Sequence, residues 1–168
     1  MTRAVIEPVA IREIRPHEFD LVWPIFHEVV AAGDTYSYAP DTSFDEARNL
    51  WTGGGTRCFV ATDGAVSVGC YMLKANQPGL GNHFANAGYM VASSARGRGI
   101  ARQLCEHSMA QARGAGFTAM QFNFVVSNNE VALNLWRKLG FDIVGRIPNA
   151  FRHARLGLVD VLVMYRPL

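Results

Sequence analysis

Cysteine is scarce. Cys58, Cys70 and Cys105 are the three in 168 residues, an odd number with no Cys-x-x-Cys spacing. That argues against a disulfide framework and leaves free thiols in a reducing compartment as the expectation; no metal is expected either. No uninterrupted apolar stretch approaches the roughly 20 residues of a membrane span, and no basic segment followed by an apolar run opens the chain. A cytoplasmic protein without a membrane partner is therefore expected. Internal repeats, low-complexity tracts and linkers are also missing, so a single domain over residues 1–168 is expected. Charge is modest: 18% charged against 49% hydrophobic residues is an ordinary globular balance. The net charge of +2 argues neither for nor against an anionic partner, and no nucleic-acid partner is expected. What basic excess exists is local. Arg96, Arg98 and Arg102 cluster, as do Arg146, Arg152, His153 and Arg155, and such clusters matter more for a phosphate-bearing ligand than the sum does.

What is there is a regular succession of elements. Val9 to Arg15 alternates apolar and polar residues and predicts a strand. Pro16 to Ala32 has helical spacing ended by Gly33, with Pro24 awkward unless the helix starts late or kinks. A polar-aromatic loop, Asp34 to Tyr38, precedes Ser43-Phe-Asp-Glu46, the form of a capping box that opens a short helix to Trp51. Strands are predicted at 57–62 and 65–74, joined at Asp63-Gly64, and again at 83–92. Gly-rich residues 95–99 lead into a helix from Ile100 to Gly114; a strand at 118–126 and a helix at 130–139 follow. Two last strands, 141–146 and 158–165, are predicted on either side of a basic loop. Early hairpins followed by strands alternating with helices predict an α/β fold, with a mixed sheet covered on both faces.

The strongest chemical signal is Arg96-Gly97-Arg98-Gly99-Ile100-Ala101, directly after a strand and opening a helix. Glycines there let the backbone approach a ligand closely, and the free N–H groups of the helix start favour a pyrophosphate. The segment is neither a Walker loop nor Gly-x-Gly-x-x-Gly, and a tight basic turn is the alternative.

Here the chain resembles the GNAT superfamily of N-acetyltransferases. Arg96, Gly99 and Ala101 fill the family's Arg/Gln-x-x-Gly-x-Gly/Ala motif in register. Asn129, Ala132, Trp136, Gly140 and Phe141 match its second motif, and the likeness runs over roughly residues 5 to 166. The resemblance implies a mostly antiparallel central sheet splayed between the strand ending at Val91-Ala92 and the strand beginning near Thr118. It implies acetyl-CoA as co-substrate, with its pantetheine arm on the backbone of Met90, Val91 and Ala92. Its pyrophosphate would lie on Arg96, Gly97, Arg98, Gly99, Ile100 and Ala101, and Asn128, Asn129 and Trp136 would complete the cofactor wall. Trp136 departs from the family, where many members carry a tyrosine that is a candidate acid for the leaving thiolate. Indole N–H cannot serve so, and a core aromatic is the favoured reading of Trp136. The family also implies a homodimer, which the apolar final strands suit.

A narrower likeness lies in Asn76 to His83, Asn86 to Val91 and Gln121 to Phe124. These segments resemble the fungal acetyltransferases of proline analogues such as azetidine-2-carboxylate, and phosphinothricin-type enzymes are the nearest alternative. The resemblance puts Asn86 and Asn123 at the reacting end, polarising the thioester or orienting a small amine, although a mid-strand asparagine also marks a bulge or an edge. It places Tyr36 and Tyr38 in the wall of the acceptor site and Arg152 where an amino-acid carboxylate enters. A carboxamide cannot be the general base, so a water relay to Glu28 or His83 stays open.

Overall fold

The computed structural model describes residues 7–168; the first six residues of the expected domain lie outside the described residues. One seven-stranded sheet organises them, in the order β1-β2-β3-β4-β5-β7-β6. The strands are β1 (Ala10–Ile14), β2 (Arg57–Asp63), β3 (Val66–Ala75), β4 (Phe84–Val91), β5 (Ala119–Val126), β6 (Asp142–His153) and β7 (Gly157–Pro167). Every neighbouring pair is antiparallel except β4 with β5. The mixed, mostly antiparallel α/β architecture predicted above is the one observed.

Helices cover both faces, and strand parity decides which side chain meets which helix. Tyr71 and Leu73 of β3, with Ala85 and Ala87 of β4, pack with α3 (Ile100–Gly114) and α4 (Glu130–Lys138). Cys70, Met72 and Met90 point the other way, into the cluster of α1 (Trp23–Ala32) and α2 (Phe44–Thr52). The Pro24 difficulty resolves simply. A short 3-10 turn, Pro16–Leu21, comes first, and α1 starts at Trp23, so the proline sits in its first turn where no N–H is needed. The capping box forms as expected: Ser43 Oγ accepts from Glu46 N at 3.3 Å, and Glu46 Oε2 accepts from Ser43 N at 2.8 Å.

The last two strands depart from expectation. Instead of a basic loop, β6 runs on to His153 and a three-residue turn leads to β7. Pro148 and Asn149 break the alternation without ending the strand. The register slips between Ile147 and Phe151, and Asn149 takes a left-handed φ of 53° while its N–H donates to Asp160 Oδ1 at 3.0 Å. His153 is buried, and its Nδ1 accepts from the N–H groups of Arg155 at 3.1 Å and Leu156 at 3.3 Å, closing the turn. Arg152 is thus a strand residue, exposed, and not a loop residue. Among the described residues no helix is long and apolar enough to cross a membrane.

Trp136 packs on three aromatic rings, with centroids 5.1 Å from Tyr89, 5.1 Å from Phe122 and 6.5 Å from Phe141. It is 8% exposed. Trp136→Phe is expected to destabilise the fold by about 1–3 kcal/mol in urea denaturation, through lost buried area. Turnover should change only modestly; a well-folded variant slowed about a hundredfold would assign the indole a chemical role instead.

Candidate functional site

β4 and β5 pair for two residues only, Phe84 with Ala119 and Ala85 with Met120, and then part. The wedge between them is the floor of a cavity of about 660 Å³. Its lining comes from both faces of the sheet: Ala132 and Trp136 of α4 on one, Val29 of α1 with the loop Asp34 to Tyr38 on the other. The cavity therefore passes through the sheet at the splay.

At the open end of the wedge stands the Gly-rich turn. Gly97 and Gly99 both have left-handed φ, 77° and 74°, which a residue with a Cβ adopts only under strain. Gly99 is the N-cap of α3 and offers no side-chain cap, so the first N–H groups of that helix remain for a ligand. Arg96 lines the cavity. Arg98 does not: its guanidinium pairs with Asp63 of the β2–β3 hairpin at 2.6 Å. Glu28 of α1 accepts from both the N–H and the hydroxyl of Ser93, which ties the turn to the helix. Those hydrogen bonds hold the Glu28 carboxyl below its ordinary pKa, the state of a structural anion more than of a base. His83, the other relay candidate, packs edge-on against Phe84 at 4.7 Å and does not line the cavity.

The backbone of β4 divides its groups between two neighbours. Ala92 N–H donates to Val68 O of β3 at 3.0 Å, whereas the Tyr89 carbonyl accepts from the Tyr36 hydroxyl at 2.8 Å. Alternation along an antiparallel strand then turns Met90 and Ala92 toward β3 and Val91 toward the gap. Of the three residues expected to hold a pantetheine arm, Val91 alone presents its backbone there. Asn129 caps α4 by accepting from Ala132 N at 3.2 Å, and it lines the cavity together with Val131, which is 83% exposed. Asn128 is exposed and lies outside the lining. An acetyl-CoA fits what is here: a gap with a free strand edge, apolar α4 side chains beside it, and an uncapped helix start with Arg96 at its mouth.

Near the apex the two asparagines are brought together, with different surroundings. Asn86 is 8% exposed, and its Nδ2 donates to Gln121 O at 3.0 Å, taking over where the β4–β5 backbone ladder stops. Asn123 is exposed in a β5 bulge, since the register with β7 slips between Phe122 and Val125. Its carboxamide donates to Asn76 Oδ1 at 2.6 Å and accepts from Gln121 Nε2 at 3.0 Å. Both line the cavity.

The loop Asp34 to Tyr38 is locked by aromatic packing. Tyr36 and Tyr38 stack at 5.6 Å with an interplanar angle of 11°, and Tyr38 stacks on Phe26 at 5.5 Å. Trp51 Nε1 donates to the Tyr38 hydroxyl at 3.3 Å. Burial pushes the Tyr36 hydroxyl well above the ordinary tyrosine pKa, so it remains a neutral donor. Gly88 makes room for it, since a Cβ there would lie 3.1 Å from the Tyr36 oxygen. Arg152 does not line the cavity. Asp34 and Lys74 do, and sequence reasoning assigned neither of them a role. The loop containing Asp34 was legible; Lys74 at the end of a strand reads as solvated.

A sequence model of the acetyltransferase (GNAT) family matches residues 19–141. The N-acetyltransferase aca1 of Schizosaccharomyces pombe is 34% identical over 97 residues, which is 57% of this chain and 46% of that relative. The match thus spans just under half of the relative's length. The structure of a GCN5-related N-acetyltransferase from Kribbella flavida is 41% identical, with a TM-score of 0.88, over 95% of this chain and 98% of that one. A phosphinothricin acetyltransferase from Sinorhizobium meliloti, solved in complex with AcCoA, superposes with a TM-score of 0.81 over 96% and 89% of the two chains. At 22% identity it is a likeness of fold.

Gly99→Val, checked for folding by circular dichroism, is expected to raise the acetyl-CoA KM by about tenfold or more, or about 1.4 kcal/mol of binding. Arg96→Ala should weaken CoA more than Arg98→Ala, whose exposed pair with Asp63 is worth about 1 kcal/mol at most. Titration calorimetry showing wild-type CoA affinity in Gly99→Val would remove the turn from the site.

Proposed function

The chain belongs to the acetyltransferase (GNAT) family, and on that premise we propose that it transfers an acetyl group from acetyl-CoA to the nitrogen of a small amino- or imino-acid-like acceptor. One observation carries the reading: a single cavity crosses the sheet, with a Gly-rich turn and an uncapped helix start at one mouth and polar side chains at the other. Such a passage lets two substrates meet at the splay from opposite faces. The acceptor's nitrogen lone pair forms the new C–N bond at the acetyl carbon, the C–S bond breaks, CoA leaves as thiolate, and the nitrogen loses a proton. Acetyl-CoA supplies the activated thioester; a thiol with a pKa near ~8.5 is a fair leaving group, so no tyrosine acid is required where Trp136 stands.

Val91, the N–H groups that open α3 and Arg96 hold the cofactor in this reading. Asn86 and Asn123 serve the reacting end. Each amide nitrogen carries two hydrogens, and the structure accounts for one bond from each, to Gln121 O and to Asn76 Oδ1. A donor remains on each for the carbonyl oxygen, where negative charge develops, or for the acceptor. The packed tyrosines shape the acceptor wall without swinging. The resemblance to the azetidine-2-carboxylate enzymes rests on Asn86, Asn123 and the segments around them, and phosphinothricin-type acceptors are the nearest alternative. The protein is proposed to act as a homodimer through β6, an edge strand with Ile143, Val144 and Ile147 exposed and Leu156 just beyond it. Light scattering should give twice the chain mass, and Val144→Lys with Ile147→Lys should halve it. A wild-type monomer at micromolar concentration would end that proposal.

The central test is a thiol-release assay with acetyl-CoA over free amino acids, imino acids and simple amines. Losing one oxyanion donor typically costs ~10²–10³ in rate, so Asn86→Ala and Asn123→Ala should lower kcat/KM on that scale, with CoA affinity by calorimetry nearly intact. Aspartate at either position should do no better than alanine, because it sets a charge against the developing one. Asn123 is exposed and Asn86 is built into the apex, so only Asn86→Ala should also lower the melting temperature. Unchanged kinetics in both variants would leave the pair a structural feature and remove the main support for the proline-analogue likeness.

A further inference from the structure

Sorting the polar side chains of the acceptor mouth by what they already touch leaves few free. Tyr36 donates to Tyr89 O, Tyr38 accepts from Trp51, and Asn123 is bridged to Asn76 and Gln121. Apart from Arg96 at the opposite mouth, two charged groups line the same cavity and, among the described residues, take part in no ion pair: Lys74 and Asp34. Being opposite in sign and yet not paired within 4 Å, they have not closed on one another, and each is open to a third molecule.

Register fixes where Lys74 stands. It is the cross-strand partner of Asn86, as Met72 is of Gly88, so its stem leaves β3 on the face of α1 and the Asp34 to Tyr38 loop. Directly opposed residues have Cβ atoms roughly 5 Å apart, so the ammonium's four-carbon tether begins beside the buried carboxamide at the wedge apex. Asp34 directly follows Gly33, the left-handed cap of α1, and Gly33 O accepts from Ala154 N at 3.0 Å. The carboxylate is thus carried on a backbone anchored to α1 and to the β6–β7 turn. Beside it, Thr35 Oγ1 is buried without a hydrogen-bond partner among the described residues, an unspent polar atom in the same wall.

We infer that Lys74 reads the acceptor's carboxylate and that Asp34 faces its nitrogen, so that the site selects zwitterions: α-amino and α-imino acids with a free carboxylate. This rests on the acetyl-transfer reading above and assigns the acceptor class within it. The ammonium of Lys74 takes the carboxylate by a charge-assisted hydrogen bond. Asp34 favours the incoming cationic nitrogen and then, directly or through one water, takes the proton that nitrogen must lose before it forms the C–N bond. The protons balance: the cationic nitrogen gives one to Asp34 before attack, and the second, released as the C–N bond forms and the C–S bond breaks, passes to the departing CoA sulfur or to solvent. A strand-end lysine here replaces Arg152, which stands exposed on β6 outside the cavity.

The test compares kcat/KM for azetidine-2-carboxylate and methionine sulfoximine with that for the methyl ester of each, in wild type and in Lys74→Met, Lys74→Arg, Asp34→Asn and Arg152→Ala. Taking the ratio within each variant cancels the lower basicity of an ester's amine. Wild type is expected to prefer the acids by about tenfold or more. Lys74→Met should bring that preference close to one by raising acceptor KM, and Lys74→Arg should restore most of it. Asp34→Asn should lower kcat more than KM, with the loss shrinking as pH rises and free amine accumulates. Lys74 is exposed, so CoA affinity and melting temperature should stay at wild-type values and separate recognition from folding. An acid preference unchanged in Lys74→Met, or lost in Arg152→Ala instead, overturns the inference while leaving acetyl transfer to amino acids standing. Turnover confined to amines that lack a carboxylate overturns both.

Discussion

Two residue pairs hold β4 to β5, and everything distinctive about the molecule follows from the ladder stopping there. A parallel pair inside a sheet ordinarily satisfies every backbone group along its length. Here each N–H and C=O beyond Ala85 and Met120 that faces the gap needs another partner, because a buried orphan costs about as much as a lost hydrogen bond. The chain answers with side chains. Asn86 Nδ2 takes Gln121 O, and the Tyr36 hydroxyl takes Tyr89 O. The groups after Tyr89 that face the gap have no strand partner, and in the proposed reading a ligand takes them as an added strand would.

Keeping the two halves of the sheet apart needs support from both faces. On one, Trp136, Phe122 and Phe141 form an aromatic wedge, Phe122 stacking on Phe141 at 4.3 Å. On the other, Phe26, Tyr38 and Tyr36 form a continuous stack that ends at the β4 backbone, with Trp51 edge-on to Phe26. Three free cysteines are buried in these layers, and burial pushes Cys58 and Cys105 thiols up to about 12, so they serve as small apolar side chains. Glu28, reaching from α1 to Ser93, joins the second layer to the turn before α3. The walls of the cavity are therefore rigid parts of two cores, held before any ligand arrives.

Much of this was legible in the chain. Gly33, Asp63-Gly64, Gly99 and Gly140 punctuate it at the places where elements end, and the Ser43–Glu46 box marks a helix start, so element order could be read directly. Local signals failed where tertiary pairing overrode them. Residues 147–157 read as a basic loop, yet Asp160 on the partner strand absorbs the bulge at Asn149 and β6 continues. Asn86 and Asn123 were visible as misplaced amides, but not that one closes the ladder while the other rides a bulge. Those are facts of register, which depends on residues 35 or more positions away. Lys74 was hidden for a similar reason. A lysine at the end of a strand is ordinarily solvated, and only the pairing with Asn86 turns it toward the cavity face.

The position of Lys74 bears on how such a site discriminates among amines. A loop able to swing would select by size and closure, but Tyr36 is held by its bond to Tyr89 O and Tyr38 by its bond from Trp51, so the loop that carries them has little freedom to close. A wall that does not move must select through fixed charge and shape. Shape alone separates ligands weakly, since one methylene in an apolar pocket is worth only about 1–3 kcal/mol. Placed charges do better, because a partner lacking its complement leaves them unmatched in a partly enclosed space. The rigidity that keeps the wedge open thus shifts the burden of specificity onto the few polar groups the wedge leaves unpaired, and Lys74 and Asp34 are the charged ones at that mouth.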